Sequence, residues 1–367
     1  MHMPPPVHGA AMMGSYIHDS ELIRNSFDCH FVNMATAENL EDIGGFSLKK
    51  LRVIVRKYRE MVQAARSFRP DVIYVTPNAS GPSFYKDFIC VQLLKRYCSK
   101  LVLHFHNKGV SDNQDGFIND MLYRRLFSGS KVILISRKLY PDVCRYVEDK
   151  DVLYCPNAIR QSLTEIPPRP SDKERTHLLF LSNLIVSKGV VVLLDALKEL
   201  KDRGLDFVCD FVGGETAEID RAGFDKLVAD RNLEGRAIYH GRKYGEEKSE
   251  FFRKTDIFVF PTYYKKETFG LVNLEAMEYG IPVISSDEGG VGDVVIDGET
   301  GYLLPHHPGD IPVDRHELAD AILKLAEDPQ LRRRMGSAGN DLFRSKYVLP
   351  MFEQRIKDIL DEVLTSE

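Results

Sequence analysis

The stretch Glu267-Thr-Phe-Gly-Leu-Val-Asn-Leu-Glu275-Ala-Met-Glu-Tyr-Gly-Ile-Pro-Val-Ile-Ser285 decides the reading of this chain. It follows an apolar strand candidate, Asp256-Ile-Phe-Val-Phe-Pro261. It reads as a short helix opened by Gly270, capped by Gly280 and followed by a strand that begins at Pro282. A glycine-opened helix at the end of a strand presents backbone N–H groups and the positive end of a dipole to an anion. Glu267 lies just before this helix and Glu275 two turns into it. One carboxylate can reach whatever is attached to a bound phosphate, and the other can reach hydroxyls on its far side. A bare pair of glutamates at this spacing fits a solvated amphipathic helix equally well. The ordered wording around the pair carries the reading.

Working outward, 367 residues suffice for two domains that each bury a core. Hydrophobic residues at 43% and charged residues at 28% are those of an ordinary globular protein. Six scattered cysteines, without a Cys-x-x-Cys pair or metal spacing, read as reduced thiols in a cytosolic protein. No apolar run approaches the roughly 18 to 20 residues that span a bilayer, and Met-His-Met-Pro-Pro-Pro is no secretory signal. Residues 1–165 hold 22 Lys/Arg against 17 Asp/Glu, and the remainder 27 against 37. A basic first half and an acidic second half suggest two domains with different partners.

Short β-rich runs alternate with helical stretches throughout, the pattern of α/β architecture with parallel sheets. In the first half the strand candidates are Asp28–Met34, Asp71–Thr76, Lys100–Phe105, Lys131–Ser136 and Val152–Tyr154. Helical stretches such as Leu48–Phe68, Ser83–Tyr97 and Asn119–Phe127 separate them. The Pro-rich run Glu165-Ile-Pro-Pro-Arg-Pro-Ser-Asp172 breaks the pattern and reads as a linker. The second half restarts at His177–Leu181, and an amphipathic helix, Met351–Glu362, ends the chain.

The wording E-T-F-G-L-x-x-x-E-A-M-x-x-G-x-P-V-I resembles the signature of the retaining GT-B glycosyltransferases of family 4, the glycosyl transferases group 1. The resemblance is strong over 176–305 and weaker over 1–165. It implies a GT-B fold: two Rossmann-like, doubly wound parallel-sheet domains facing across a cleft. The implied domains are 1–165 on the acceptor side, a linker at 166–175, a nucleotide-sugar domain at 176–347, and a last helix, 348–367, that crosses back. One departure concerns the loop Pro4-Pro-Pro-Val-His-Gly-Ala-Ala11, which a first Rossmann strand should precede, whereas three residues do. The expectation is a start some residues upstream, or a first domain less stable than the second.

The resemblance also assigns residues. Phe180-Leu-Ser-Asn-Leu-Ile-Val-Ser-Lys188-Gly189 matches the loop where an arginine and a lysine grip a diphosphate. Lys188 is present here and Asn183 stands in the arginine position, so neutralisation leans on Lys188 and helix N-termini. Glu275 would accept from ribose hydroxyls and Glu267 would face the donor sugar. The N–H groups of Phe269, Gly270 and Leu271 would line the sugar and diphosphate, supplemented by Thr268. Gly213, Gly214 and Arg242 would border the base. In the first half, His106 matches the family's sugar-contacting histidine, Gly9 its glycine-rich first loop, and Asn157 its Pro-Asn hinge. His104, two residues before His106, reads as structural.

These readings imply transfer of a sugar from a nucleotide-diphosphate sugar to a glycan or lipid-linked acceptor, with retention and without cofactor. No Asp-x-Asp signature sits at a strand end, so no catalytic metal is expected. Residues 49–69, with eight Lys/Arg and one Glu, form a basic amphipathic helix. Such a helix either packs on a sheet with its charges in water or lies on an anionic membrane surface at the cytoplasmic face. Nucleic-acid binding is not expected, for lack of a reading motif. The competing classes are a sugar-nucleotide 2-epimerase and a non-catalytic sugar-nucleotide binder.

Overall fold

The structure, a computed structural model, describes residues 1–5, 9–34, 48–168, 175–305 and 312–366. The chain divides into two compact units: Met1–Ala158 together with Leu349–Glu367, and Ile159–Val348.

In the first unit the helices are α1 (Gly9–Asp19), α2 (Glu21–Ser26), α3 (Leu48–Phe68), α4 (Gly81–Leu94), α5 (Phe117–Phe127) and α6 (Tyr140–Val143). Four parallel strands stand in the order β1 (Ile73–Val75), β2 (Leu101–Phe105), β3 (Ser130–Leu134) and β4 (Val152–Tyr154). β2 is buried along its whole length, as a strand covered on both faces must be. Its alternating side chains divide the core. Leu101, Leu103 and Phe105 pack with Phe84, Tyr123 and Phe127 of α4 and α5. Val102 joins Ile133 and Cys155 under the last helix of the chain, Leu349–Thr365, through Phe352, Ile356, Ile359 and Val363.

One expected strand, Asp28–Met34, is not a strand. Met1–Met3 lie beside it: Met1 N donates to Val32 O at 3.2 Å and Met34 N to Met1 O at 2.9 Å. On its other side His2 N donates to Thr76 Oγ1 at 3.0 Å. A cavity of about 470 Å3 lies beside this segment, lined by Phe31, Met61, Ala65, Val72, Tyr74 and Leu360. The basic helix α3 turns Met61 and Ala65 into the core, with Tyr58 and Val62 packed beside them. Arg52, Arg56 and Arg59 stay exposed.

The second unit holds six parallel strands in the order β10-β9-β8-β5-β6-β7. These are β5 (Thr176–Leu181), β6 (Phe207–Val212), β7 (Ala237–Tyr239), β8 (Ile257–Phe260), β9 (Val283–Ser286) and β10 (Gly301–Leu304). Between them run α7 (Val190–Asp202), α8 (Arg221–Ala229), α9 (Gly245–Lys254), α10 (Leu271–Glu278) and α11 (Val291–Val294). α12 (Arg315–Glu327) and α13 (Pro329–Lys346) follow, and α14 is the last helix, Leu349–Thr365, of the first unit. Chain order reverses between β5 and β8, so the loops after those two strands meet at the topological switch point, where open α/β sheets bind ligands.

The division falls at Ala158–Ile159, whereas the Pro-rich run points to 166–175, of which 169–174 lie outside the described residues. The residues after Ile159 are tied to the second unit by Glu278 on α10. Its Oε1 accepts from Ser162 Oγ at 3.0 Å and from Leu163 N at 2.9 Å. Arg344 Nη2 also donates to Thr164 O at 2.7 Å.

α13 crosses the end of α10 at Gly336, where a Cβ would lie 2.0 Å from the carbonyl oxygen of Gly280. Alanine is the better helix former by about 1 kcal/mol, but backbone cannot yield as a side chain can, and overpacking costs about 1–3 kcal/mol. Gly336→Ala is therefore expected to lower stability in denaturant unfolding; a gain would show that α13 shifts freely.

Candidate active site

The loops after β5 and β8 are stitched together before any ligand is considered. Tyr263 N donates to Ser187 O at 2.8 Å, and Glu267 N to Tyr264 O at 2.7 Å. Lys188 closes the short 3-10 turn Val186–Lys188 after β5, and its Nζ lies 2.6 Å from Glu267 Oε2. The ammonium also stands 4.5 Å from the ring centroid of Tyr264 and 5.5 Å from that of Phe260, a cation–π seat. Burial, reinforced by Glu267, pushes the Tyr264 hydroxyl above its ordinary pKa. Glu267 Oε1 accepts from Gly270 N at 3.1 Å and from Thr268 N at 3.3 Å. Gly270 caps α10 with a φ of +69°, which glycine adopts without strain.

Lys188, Glu267, Thr268 and Gly270 thus come together at the start of α10. Phe269 turns its ring into the core against Tyr347, at 5.9 Å between centroids, so only its backbone could face a ligand. Leu271 begins the helix. Glu275, one turn on, pairs with Lys248 of α9 at 2.7 Å, a partner that no motif announced.

A second cluster gathers Asn183, Gly213, Gly214 and Arg242. Asn183 Oδ1 accepts from Gly214 N at 3.0 Å, so its side chain joins the β5 and β6 loops. The guanidinium of Arg242 lies over Gly214, where a Cβ would come within 2.1 Å of Arg242 Nε.

His106 and Gly9 belong to the first unit. Gly9 is the first residue of α1, and residues 6–8 of its loop lie outside the described residues. His106 follows the end of β2, buried, with Nδ1 at 2.9 Å from Asn157 Oδ1. Asn157, read as a hinge residue, therefore orients this ring. His104 shares the face of His106, with ring centroids 4.1 Å apart. Its Nδ1 shares a 2.6 Å hydrogen bond with the Tyr74 hydroxyl. Burial, and then the neighbouring His106, push His104 well below its ordinary pKa.

With this geometry in place, the comparisons with known proteins can be read. Residues 162–341 match the family described as Glycosyl transferases group 1. That segment of the chain belongs to this family. Among curated relatives, the alpha-D-kanosaminyltransferase of Streptomyces kanamyceticus is 31% identical over 201 residues, 54% of this chain and 49% of the relative. The phosphatidyl-myo-inositol mannosyltransferase of Mycobacterium tuberculosis is 34% identical over 179 residues, 49% of this chain and 45% of the relative. The aligned stretch thus spans about half the length of these relatives. Among solved structures, the lipopolysaccharide outer core galactosyltransferase WaaB in its apo form superposes with a TM-score of 0.70 at 16% identity, covering 97% of both chains. The Anabaena protein HepE in complex with UDP gives 0.68 at 20% identity, covering 84% of this chain and 82% of the other. The fold is GT-B.

A histidine kept neutral below its ordinary value of 6.5 takes up its proton only on unfolding. Its contribution to stability is present above that pH and is lost as pH falls below it. In thermal melts from pH 7 to about pH 5, His104→Gln is expected to lose less stability on acidification than the wild type. Parallel pH profiles would show that His104 takes up its proton in the folded protein.

Proposed function

We propose that the protein is a retaining, metal-independent glycosyltransferase that moves a sugar from a nucleoside diphosphate to a glycan or lipid-linked acceptor in surface polysaccharide biosynthesis. The observation that carries this reading is the convergence of Lys188, the Glu267 carboxylate and the N–H groups at the start of α10 on one point of the switch region. A partly buried ammonium with backbone donors suits the charge that grows on a leaving phosphate. In the transfer, the bond between the anomeric carbon and the phosphate oxygen breaks as the acceptor oxygen bonds to the same face of that carbon. The leaving phosphate oxygen takes the acceptor's proton, so no protein nucleophile is needed. Lys188 and the N–H groups hold the phosphate, Glu275 the ribose and Glu267 the sugar hydroxyls, while His106 of the first unit has the sugar-contacting role that the resemblance implies.

A lipid-linked acceptor would bring the chain to an anionic membrane at the cytoplasmic face. The exposed Arg52, Arg56 and Arg59 of α3 supply the charge for that contact. Among the described residues no helix is long and apolar enough to cross a membrane.

The test incubates wild type and Glu275→Ala with UDP- and GDP-sugars, without acceptor, following hydrolysis and thermal protection. UDP-sugars come first because HepE is solved with UDP. A donor that binds at 100 times its Kd stabilises by about 2.7 kcal/mol. One donor is expected to protect and be slowly hydrolysed, with Glu275→Ala losing both effects. Conversion of the donor to its epimer would establish the 2-epimerase instead, and binding without turnover, with or without acceptors, a sugar-nucleotide binder.

A further inference from the structure

The anion seat at the start of α10 has an internal occupant. Of the groups assigned above to the donor's phosphate, the Lys188 ammonium and the N–H of Gly270 are engaged by the Glu267 carboxylate, which also accepts from the N–H of Thr268. The two side chains are only 16% and 11% exposed, so this is a closed ion pair. An ammonium and two amide donors desolvated around nothing would be costly. The carboxylate removes that cost by supplying the same charge and the same acceptor oxygens as a phosphate.

The backbone of Glu267 is clamped by its neighbours. A Cβ on Gly289 would lie 2.3 Å from Glu267 O, and Gly290 N donates to Thr268 O at 2.9 Å. Exchange of the occupant is thus a side-chain rotation and not a loop movement. We propose that Glu267 holds the anion seat when no nucleotide is bound, is displaced by the donor's phosphate onto the sugar, and returns to expel the nucleoside diphosphate product.

The product needs expelling because it bears one more ionisable oxygen than the donor, so a fixed cation would hold it more tightly. A returning carboxylate competes for the same ammonium and donors, and so favours release. This inference rests on the nucleotide-sugar reading and gives one of its residues a second duty.

The test is titration calorimetry of UDP and GDP against wild type and Glu267→Gln, with melting curves to establish that the variants fold. Glutamine keeps the shape and the N–H acceptor but surrenders the ion pair with Lys188. Glu267→Gln is expected to bind the nucleoside diphosphate about tenfold more tightly, while turnover of the sugar nucleotide falls. Glu267→Asp, whose shorter carboxylate cannot span both partners, is expected between the two and serves if glutamine disturbs folding. Wild-type binding with equal or weaker binding by both folded variants would overturn the proposal and leave the nucleotide reading standing. If no protein binds either nucleotide, both readings fall together.

Discussion

The candidate site depends on one constraint: α10 is bolted at its C-terminal end so that its N-terminal end can hold charge. Glu278, its last residue, is buried, and its carboxylate accepts from the backbone of Ser162 and Leu163. Asn340 of α13 donates to Met277 O at 3.1 Å and to Glu278 O at 2.7 Å, which satisfies carbonyls a helix end leaves open. Gly336 lets α13 approach closely enough to make those bonds. The N-terminal end is fixed instead by Glu267 and by the loop that carries Lys188. A helix anchored in this asymmetric way can exchange its partners at one end without moving at the other.

The charges at that end are poor contributors to stability. Withdrawing an ammonium and a carboxylate from water costs several kcal/mol each, and their attraction repays it only with good geometry and further hydrogen bonds. Lys188 and Glu267 have both: a 2.6 Å contact, two backbone donors to the carboxylate and an aromatic wall behind the ammonium. Asn273, in the same helix, is fully buried, and neither polar atom of its side chain has a hydrogen-bond partner. Nearby polar groups left incompletely satisfied mark the turn as shaped by function as well as by packing.

Much of this was legible in the order of residue types. The alternation of apolar runs with helical patterns is enough for two α/β units, and the switch from β8 through Gly270 to α10 marks the candidate site because glycine, dipole and strand end coincide there. Bounds moved by a few residues: Asn119–Phe127 begins at Phe117, and Met351–Glu362 runs from Leu349 to Thr365. The apolar run Asp28–Met34 is not a strand in the structure, where its backbone bonds to Met1 through Val32 and Met34. Pairings across elements were equally out of reach. Lys248 meets Glu275 from another helix, and Asn157 meets His106 across 51 positions. No local pattern encodes either contact. Tyr264 was visible as one aromatic among several, and only the fold of its loop sets it beside Lys188.

Asn183 shows how the two kinds of information combine. From sequence it stands where the resemblance expects an arginine, one positive charge fewer beside a diphosphate. In the structure its amide joins the loops after β5 and β6 through Gly214 N. An arginine there could not accept that bond, because a guanidinium has donors only. The residue that removes a charge therefore adds a loop contact. Under the exchange proposed for Glu267, an occupant of this site has to outbid a carboxylate for the single ammonium of Lys188.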